Sequence, residues 1–170
     1  PRAGGALERQ TTAQGFGALL HSEQAEVVVT LDLHGIEARA IVLDICRRAG
    51  ARTVNKGKSM ISEECGINDH LATHGITPVE TDLGEYIIQL RGEPPSHIIA
   101  PAVHVTVPEV QDIFRAAHVH LPPDRDLSTH AALLAEARGI LREKYFQAEV
   151  GITGANLLIA ETGHSVIVTN

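Results

Sequence analysis

The stretch RTVNKGKSM, residues 52–60, sets a short β-branched run against Gly57-Lys58-Ser59 and the start of a helical pattern. Gly-Lys-Ser is the end of a nucleotide-binding P-loop. The full motif needs a glycine five residues earlier, because the backbone must wrap phosphates with no Cβ in the way. Arg52 stands at that position, which argues against nucleotide hydrolysis. What remains is a strand over 52–55 that hands over to a helix through a loop carrying two lysines and a serine. The same strand-to-helix unit recurs along the chain, and the recurrence decides the fold class.

On the N-terminal side, EVVVTL (26–31) reads as a strand. Residues 36–49 carry a helical stripe of Ile41, Val42, Ile45 and Ala49 that stops at Gly50, a helix-end signal. On the C-terminal side, 60–74 reads as a helix broken near Gly66 and closed by Gly75. TPVET (77–81) is a strand, 83–90 a short helix and SHIIAP (96–101) a further strand. Val110, Ile113, Phe114 and Ala117 mark the next helix by their spacing. After a Pro-Pro turn at 122–123, a long helix over 129–147 carries Leu133, Leu134, Ala137, Leu141 and Tyr145. AEVGIT, NLLIAE and SVIVT then read as three short strands separated by turns. Residues 1–25 read as an N-terminal arm or short helix and 26–170 as the domain proper. The alternation predicts an α/β fold, an open, mostly parallel sheet with helices on both faces. The last three strands are too closely spaced for crossover helices, so some antiparallel pairing is expected near the C-terminus.

Composition narrows the function classes. A chain of 170 residues that is 44% hydrophobic and 21% charged is of ordinary globular type and about one domain in size. The formal charge of −7 and the lack of a basic stripe argue against a nucleic-acid partner. No apolar run approaches the roughly 18 residues of a membrane span, and no signal-peptide pattern is present, so a cytoplasmic location is expected. Cys46 and Cys65 belong to no Cys-x-x-Cys pair, and Cys46 falls on the apolar side of its helix. The pairs His70/His74, His97/His104 and His118/His120 lack the glutamate of His-Glu-x-x-His, so they read as surface or capping histidines and no metal site is expected.

In sheets of this kind ligands bind outside the carboxyl ends of the strands. That rule collects Asn55, Lys56, Lys58 and Ser59, then Thr81, Asp82, Gly84 and Glu85, then Pro101 and His104. Thr153, Gly154 and Asn156 follow, and after them Glu161, Thr162 and Gly163. In an extended segment Lys56 and Lys58 point to one side. With Ser59 and helix-start amides they suit a small carboxylate or phosphate; the plainer alternative is a solvated basic turn. Asp82 suits an N-cap with Glu85 as its capping-box partner, and either acid also suits pairing with a lysine. Gly151, Gly154 and Asn156 suit a tight turn that lets backbone approach a ligand.

Five segments in this order, KGKSMISEE with Asn68, VETDLGEYIIQL, PPSHIIAPAVH, AEVGITGAN and AETG…VTN, span residues 50–170. Together they resemble the lactate-utilisation (LUD) domain family. TDLGE followed by PSHI resembles its B type rather than the shorter C type. The resemblance implies a NagB/RpiA/CoA-transferase-like fold and a place in an iron-sulfur system that oxidises L-lactate to pyruvate. Sister lactate-utilisation proteins would be partners, and 4Fe-4S clusters are expected in the full-length protein or complex, with no cofactor in this chain. It further implies more of the domain beyond Asn170, followed by a cysteine-rich ferredoxin-like region. The isolated domain is then expected to be inactive, with an exposed apolar edge near Val166 and Val168 and a homodimer as one consequence. Glu161 is a catalytic candidate only by analogy with the glutamate nucleophile of CoA transferases. Acyl- or CoA-transferase-like or ligase-like chemistry, or a non-catalytic docking module, are the alternatives.

Overall fold

The computed structural model describes residues 7–12, 15–21, 26–29, 35–96, 99–159, 161–162 and 164–168. In chain order the strands are β1 (Leu7–Thr12), β2 (Gly15–His21), β3 (Glu26–Val29), β4 (Thr53–Lys56), β5 (Thr77–Glu80), β6 (Val150–Ile152), β7 (Leu157–Ile159) and β8 (His164–Val166). The helices are α1 (Ile36–Arg48), α2 (Met60–Glu64), α3 (Ile67–Thr73), α4 (Leu83–Arg91), α5 (Val107–Ala117) and α6 (His130–Gln147). The chain divides into two units, one comprising 1–51, 59–77 and 153–170, the other 52–58 and 78–152.

The second unit holds the parallel sheet, in the order β5-β4-β6. β4 pairs parallel with β6, Val54 opposite Val150 and Lys56 opposite Ile152. The Gly57 N–H continues that ladder to the Ile152 carbonyl at 2.9 Å. Val54, Asn55 and Lys56 are all buried, as expected of a central strand covered on both faces. Helices α4, α5 and α6 supply the core, in which Tyr86, Ile87, Phe114, Leu127, Leu133, Ala137 and Ile140 pack together. Their starts follow from local chemistry. Thr106 and Glu109 form a capping box on α5, with Pro108 in its first turn, and Thr129 accepts from the Ala132 N–H to cap α6.

A polar node sits inside this apolar core. His118, at the C-cap of α5, is only 2% exposed. Its Nε2 lies 3.0 Å from the Tyr86 hydroxyl and its Nδ1 2.7 Å from Glu136 Oε1. The Arg125 guanidinium grips the same carboxylate with two bonds, Nε to Oε2 at 2.6 Å and Nη2 to Oε1 at 3.1 Å, and Nη2 also donates to the Phe114 carbonyl. Burial works against the charge on Glu136, but hydrogen bonds from Arg125 and His118 outweigh it and hold the carboxyl below its usual range. Burial, aided by Glu136, pushes the Tyr86 phenol up. His118 is therefore a capping residue, as expected, but it is not a surface one. Its partner lies a helix away on α6, a relation that local spacing does not carry.

In the first unit β1, β2 and β3 form an antiparallel sheet, with Leu7 opposite Leu20 and Ala18 opposite Val29. α1 buries Leu43 and Cys46, and α3 buries Ile67 and Leu71. Gly35 opens α1 at φ +65, and a Cβ there would stand 2.7 Å from Cys65 Cβ, so both conformation and space require glycine. β7 and β8 form a separate antiparallel hairpin, with Leu157 opposite Val166. Leu157, Ile167 and Val168 are at least half exposed and Ile159 is 40% exposed.

Several expectations are corrected. Among the described residues the parallel sheet has three strands, and the antiparallel pairing foreseen near the C-terminus is confined to β7 and β8. β3 pairs with β2 rather than joining the parallel sheet, because β1 and β2 occupy the segment read as an arm or short helix. The strand expected over 96–101 is a loop where it is described; His97 and Ile98 lie outside the described residues. The Ser96 N–H donates to the Pro101 carbonyl at 3.0 Å, closing the loop on itself, and Ile99 is 76% exposed. A segment bracketed by Pro94, Pro95 and Pro101 lacks N–H groups that a ladder needs.

Two outcomes test the second core. Phe114→Ala removes a fully buried ring and should cost about 3–5 kcal/mol in denaturant unfolding. Glu136, with its lowered folded value, contributes stability that is present above the ordinary carboxylate pKa and lost as pH falls through the folded one. Acid titration of stability should therefore be flatter in Glu136→Gln than in the wild type; identical acid profiles would show that the node carries no such linkage.

Candidate functional site

The carboxyl end of β4 and β5 is built from charged residues. Lys56 ends β4 and Glu80 ends β5. Their side chains are 1% and 4% exposed, with Lys56 Nζ 2.9 Å from Glu80 Oε1. Removing either charge from water costs several kcal/mol, which only close pairing and further hydrogen bonding offset. Thr81 ties the two strands just beyond the pair, since its N–H and its Oγ1 both donate to the Lys56 carbonyl, at 3.0 and 3.1 Å. Asp82 then caps α4, its Oδ1 accepting from the N–H groups of Gly84 at 3.0 Å and Glu85 at 3.2 Å. Glu85 is buried in the first turn of α4, where the helix dipole favours negative charge.

Lys56, Thr81, Asp82 and Glu85 are thus gathered at one end of the second unit, but the two lysines do not share an environment. Lys56 is buried against Glu80, whereas Lys58 is exposed. Pro101 is buried in the second unit and His104 is exposed there, its Nε2 3.0 Å from Glu93 Oε2; the first unit holds Ser59, Thr153, Gly154, Asn156 and Glu161. Ser59 caps α2 by accepting from the Ser62 N–H at 3.2 Å. Thr153 and Gly154 are exposed, and Glu161 lies exposed in a turn. Asn156 fastens the β7–β8 hairpin: its N–H donates to the Val166 carbonyl, and its Oδ1 accepts from the Val168 N–H at 2.8 Å.

Sequence reasoning missed Glu80 and a groove along α6. No local signal marked Glu80, because its pairing depends on which strand lies beside β4. The groove, about 490 Å³ in volume, is lined on its apolar side by Leu83, Leu134, Ala137 and Leu141, with Thr81 from the strand end. Arg138, Arg142, Tyr145 and Phe146 complete its walls. Leu134 and Tyr145, placed by the sequence on the apolar stripe of this helix, are 49% and 61% exposed and line this groove. The end of α6 is anchored by Asn55, whose Nδ2 donates to the Tyr145 carbonyl at 2.9 Å. The Arg142 guanidinium lies 5.1 Å from the centre of the Phe146 ring.

An iron-sulfur cluster does not fit the donor set of this chain. Cys46 is fully buried in α1, where burial pushes its thiol up, and Cys65 is the only other cysteine. Two separated thiols fall short of the four that cubane clusters use. Among the described residues no three His, Cys, Asp or Glu side chains converge on a metal-sized space.

The fold and the strand-end residues define an α/β domain whose charged end is set by β4 and β5, and its relatives give it a family. The LUD domain family matches residues 15–170, beginning ahead of the expected boundary at residue 26, and the chain belongs to that family. Lactate utilization protein B of Bacillus subtilis is 41% identical over 137 residues, covering 79% of this chain and 27% of that protein. Lactate utilization protein B of Lysinibacillus sphaericus is 41% identical over 135 residues, covering 79% of this chain and 28% of its own length. An uncharacterized electron transport protein of Escherichia coli K12, YkgF, is 40% identical over 134 residues, covering 79% of this chain and 27% of its own length. The B-type resemblance of TDLGE and PSHI agrees with these relatives. The chain spans just over a quarter of the length of the curated relatives it matches. No solved structure matches it.

The contrast between the lysines is measurable. Lys56→Ala leaves Glu80 charged and buried and should cost about 3–5 kcal/mol in urea unfolding. Lys58→Ala should stay within about 0.5 kcal/mol of wild type. Equal effects would show that the buried pair does not hold the sheet end.

Proposed function

We propose that this chain is the LUD domain of a lactate utilisation protein, acting as a component of an iron-sulfur complex that oxidises L-lactate to pyruvate. The observation that carries the reading is the family match over 15–170 together with about 40% identity to proteins named for lactate utilisation. In this reading the fold is of the NagB/RpiA/CoA-transferase type, with the three-stranded parallel sheet in its support. Sister lactate-utilisation proteins are its partners, in the cytoplasm. No described helix is long and apolar enough to cross a membrane.

Oxidising a 2-hydroxy acid removes a hydride equivalent, which no ordinary side chain accepts. The redox group of the complex is therefore held by residues other than these, and the work of this chain is binding. Lys58, exposed just beyond β4, offers its charge to a small carboxylate or phosphate, while the Lys56–Glu80 pair ties the ends of β4 and β5. A docking role has its own support in the exposed apolar side chains of the β7–β8 hairpin and the residues after it. On that reading the isolated chain self-associates through them as a homodimer, and Ile167→Lys lowers its mass in light scattering toward that of a monomer.

The isolated chain is expected to show no L-lactate oxidation with soluble dye acceptors; turnover by cluster-free protein would overturn the division of labour. Placed in the matching region of the Bacillus subtilis protein, residues 15–170 should support growth of a host that depends on that protein for L-lactate. A stable, well-produced chimera that fails to support growth removes the lactate reading.

A further inference from the structure

The groove along α6 has features that lactate does not need. At about 490 Å³ it lies in the range that takes up drug-sized molecules, far larger than a three-carbon hydroxy acid. Its apolar side is leucine and alanine, and Tyr145 and Phe146 offer aromatic surface at one end, their rings edge-to-face with centroids 6.2 Å apart. In a chain of formal charge −7, its lining includes two guanidinium groups and no carboxylate. Arg138 and Arg142 are one turn apart on α6 and so share a face. Among the described residues no ion pair joins either to an acid. Arg142 is instead set over the Phe146 ring, an arrangement that leaves its in-plane N–H donors available.

We infer that this groove binds an amphipathic anion, a molecule with an extended apolar or aromatic body and one terminal phosphate or carboxylate. The guanidinium fork matches the oxygens of either head group, and two forks one turn apart suit one anionic head. Thr81 sets the orientation. Its hydroxyl proton is already committed to the Lys56 carbonyl at 3.1 Å, so the Thr81 side chain offers an anion no donor. The head therefore belongs at Arg138 and Arg142, and the body runs along the leucines toward Thr81. The inference rests on the reading above only in taking the carboxyl end of β5 as the ligand-facing end. It does not require lactate to be the substrate of the complex.

Calorimetric titration of the whole chain with octanoate, octyl phosphate, octanol, octylammonium and L-lactate, each below its micelle concentration, tests it. The two octyl anions should bind, octanol about tenfold more weakly or worse and octylammonium not measurably, while any L-lactate signal should be unchanged by Arg138→Glu/Arg142→Glu. The stronger of octanoate and octyl phosphate identifies the head group. In the double variant Arg138→Glu/Arg142→Glu, both anions should fall to the octanol level or below while octanol is unchanged. Both side chains are exposed, so the thermal melt should stay that of wild type. Octanol binding as tightly as octanoate, or anion binding that survives the double variant, would overturn the site. The growth assay with the chimera reads the lactate role independently: growth without octyl-anion binding counts against the groove alone, and binding without growth against the lactate role alone.

Discussion

A buried lysine opposite a buried glutamate at the ends of two adjacent strands constrains how the second unit can be assembled. Lys56 and Glu80 meet at 2.9 Å only if β4 and β5 end level with each other. The two hydrogen bonds from Thr81 to the Lys56 carbonyl hold that register. A slip of one residue would turn each side chain to the other face of the sheet and leave two desolvated charges apart. The pair therefore works as a register device as much as a source of stability. It also leads directly into Asp82 and α4, so the start of that helix is placed by the same interaction.

The second core adds a polar node of a different kind. Tyr86, His118, Glu136 and Arg125 connect α4, α5, the loop after α5 and α6 by directional bonds within an apolar cluster. Apolar packing alone tolerates rearrangement, whereas a hydrogen-bonded chain of this kind is satisfied in one arrangement only. It fixes the rotation of α6 about its own axis. That rotation decides which of its apolar side chains enter the core. Leu133, Ala137 and Ile140 do; Leu134 and Tyr145 are left on the groove.

These two devices order the second unit at the end of its sheet and along α6. The sheet end is tied by the Lys56–Glu80 pair, and the groove is lined by α6 side chains that stay outside the core. The two cysteines fall short of the four thiolates that a cubane cluster uses.

Much was legible from sequence alone. The helices from 36 to 147, the break at Gly66, the strands at β4 and β5, the Asp82 cap and the buried Cys46 follow from periodicity, capping chemistry and glycine positions, all of which are local. The family was legible because five short segments appear in a fixed order. What the sequence did not carry was partnership at a distance. That Lys56 is buried against Glu80 rather than lying beside Lys58 in solvent depends on which strand lies next to β4. That His118 is a core residue depends on Glu136 arriving from another helix. The N-terminal strands, the pairing of β3 with β2 and the loop at 96–101 depend likewise on which hydrogen-bond partners are within reach. Local sequence sets what each segment prefers; only the folded arrangement supplies the partner that makes a buried charge or an edge strand affordable.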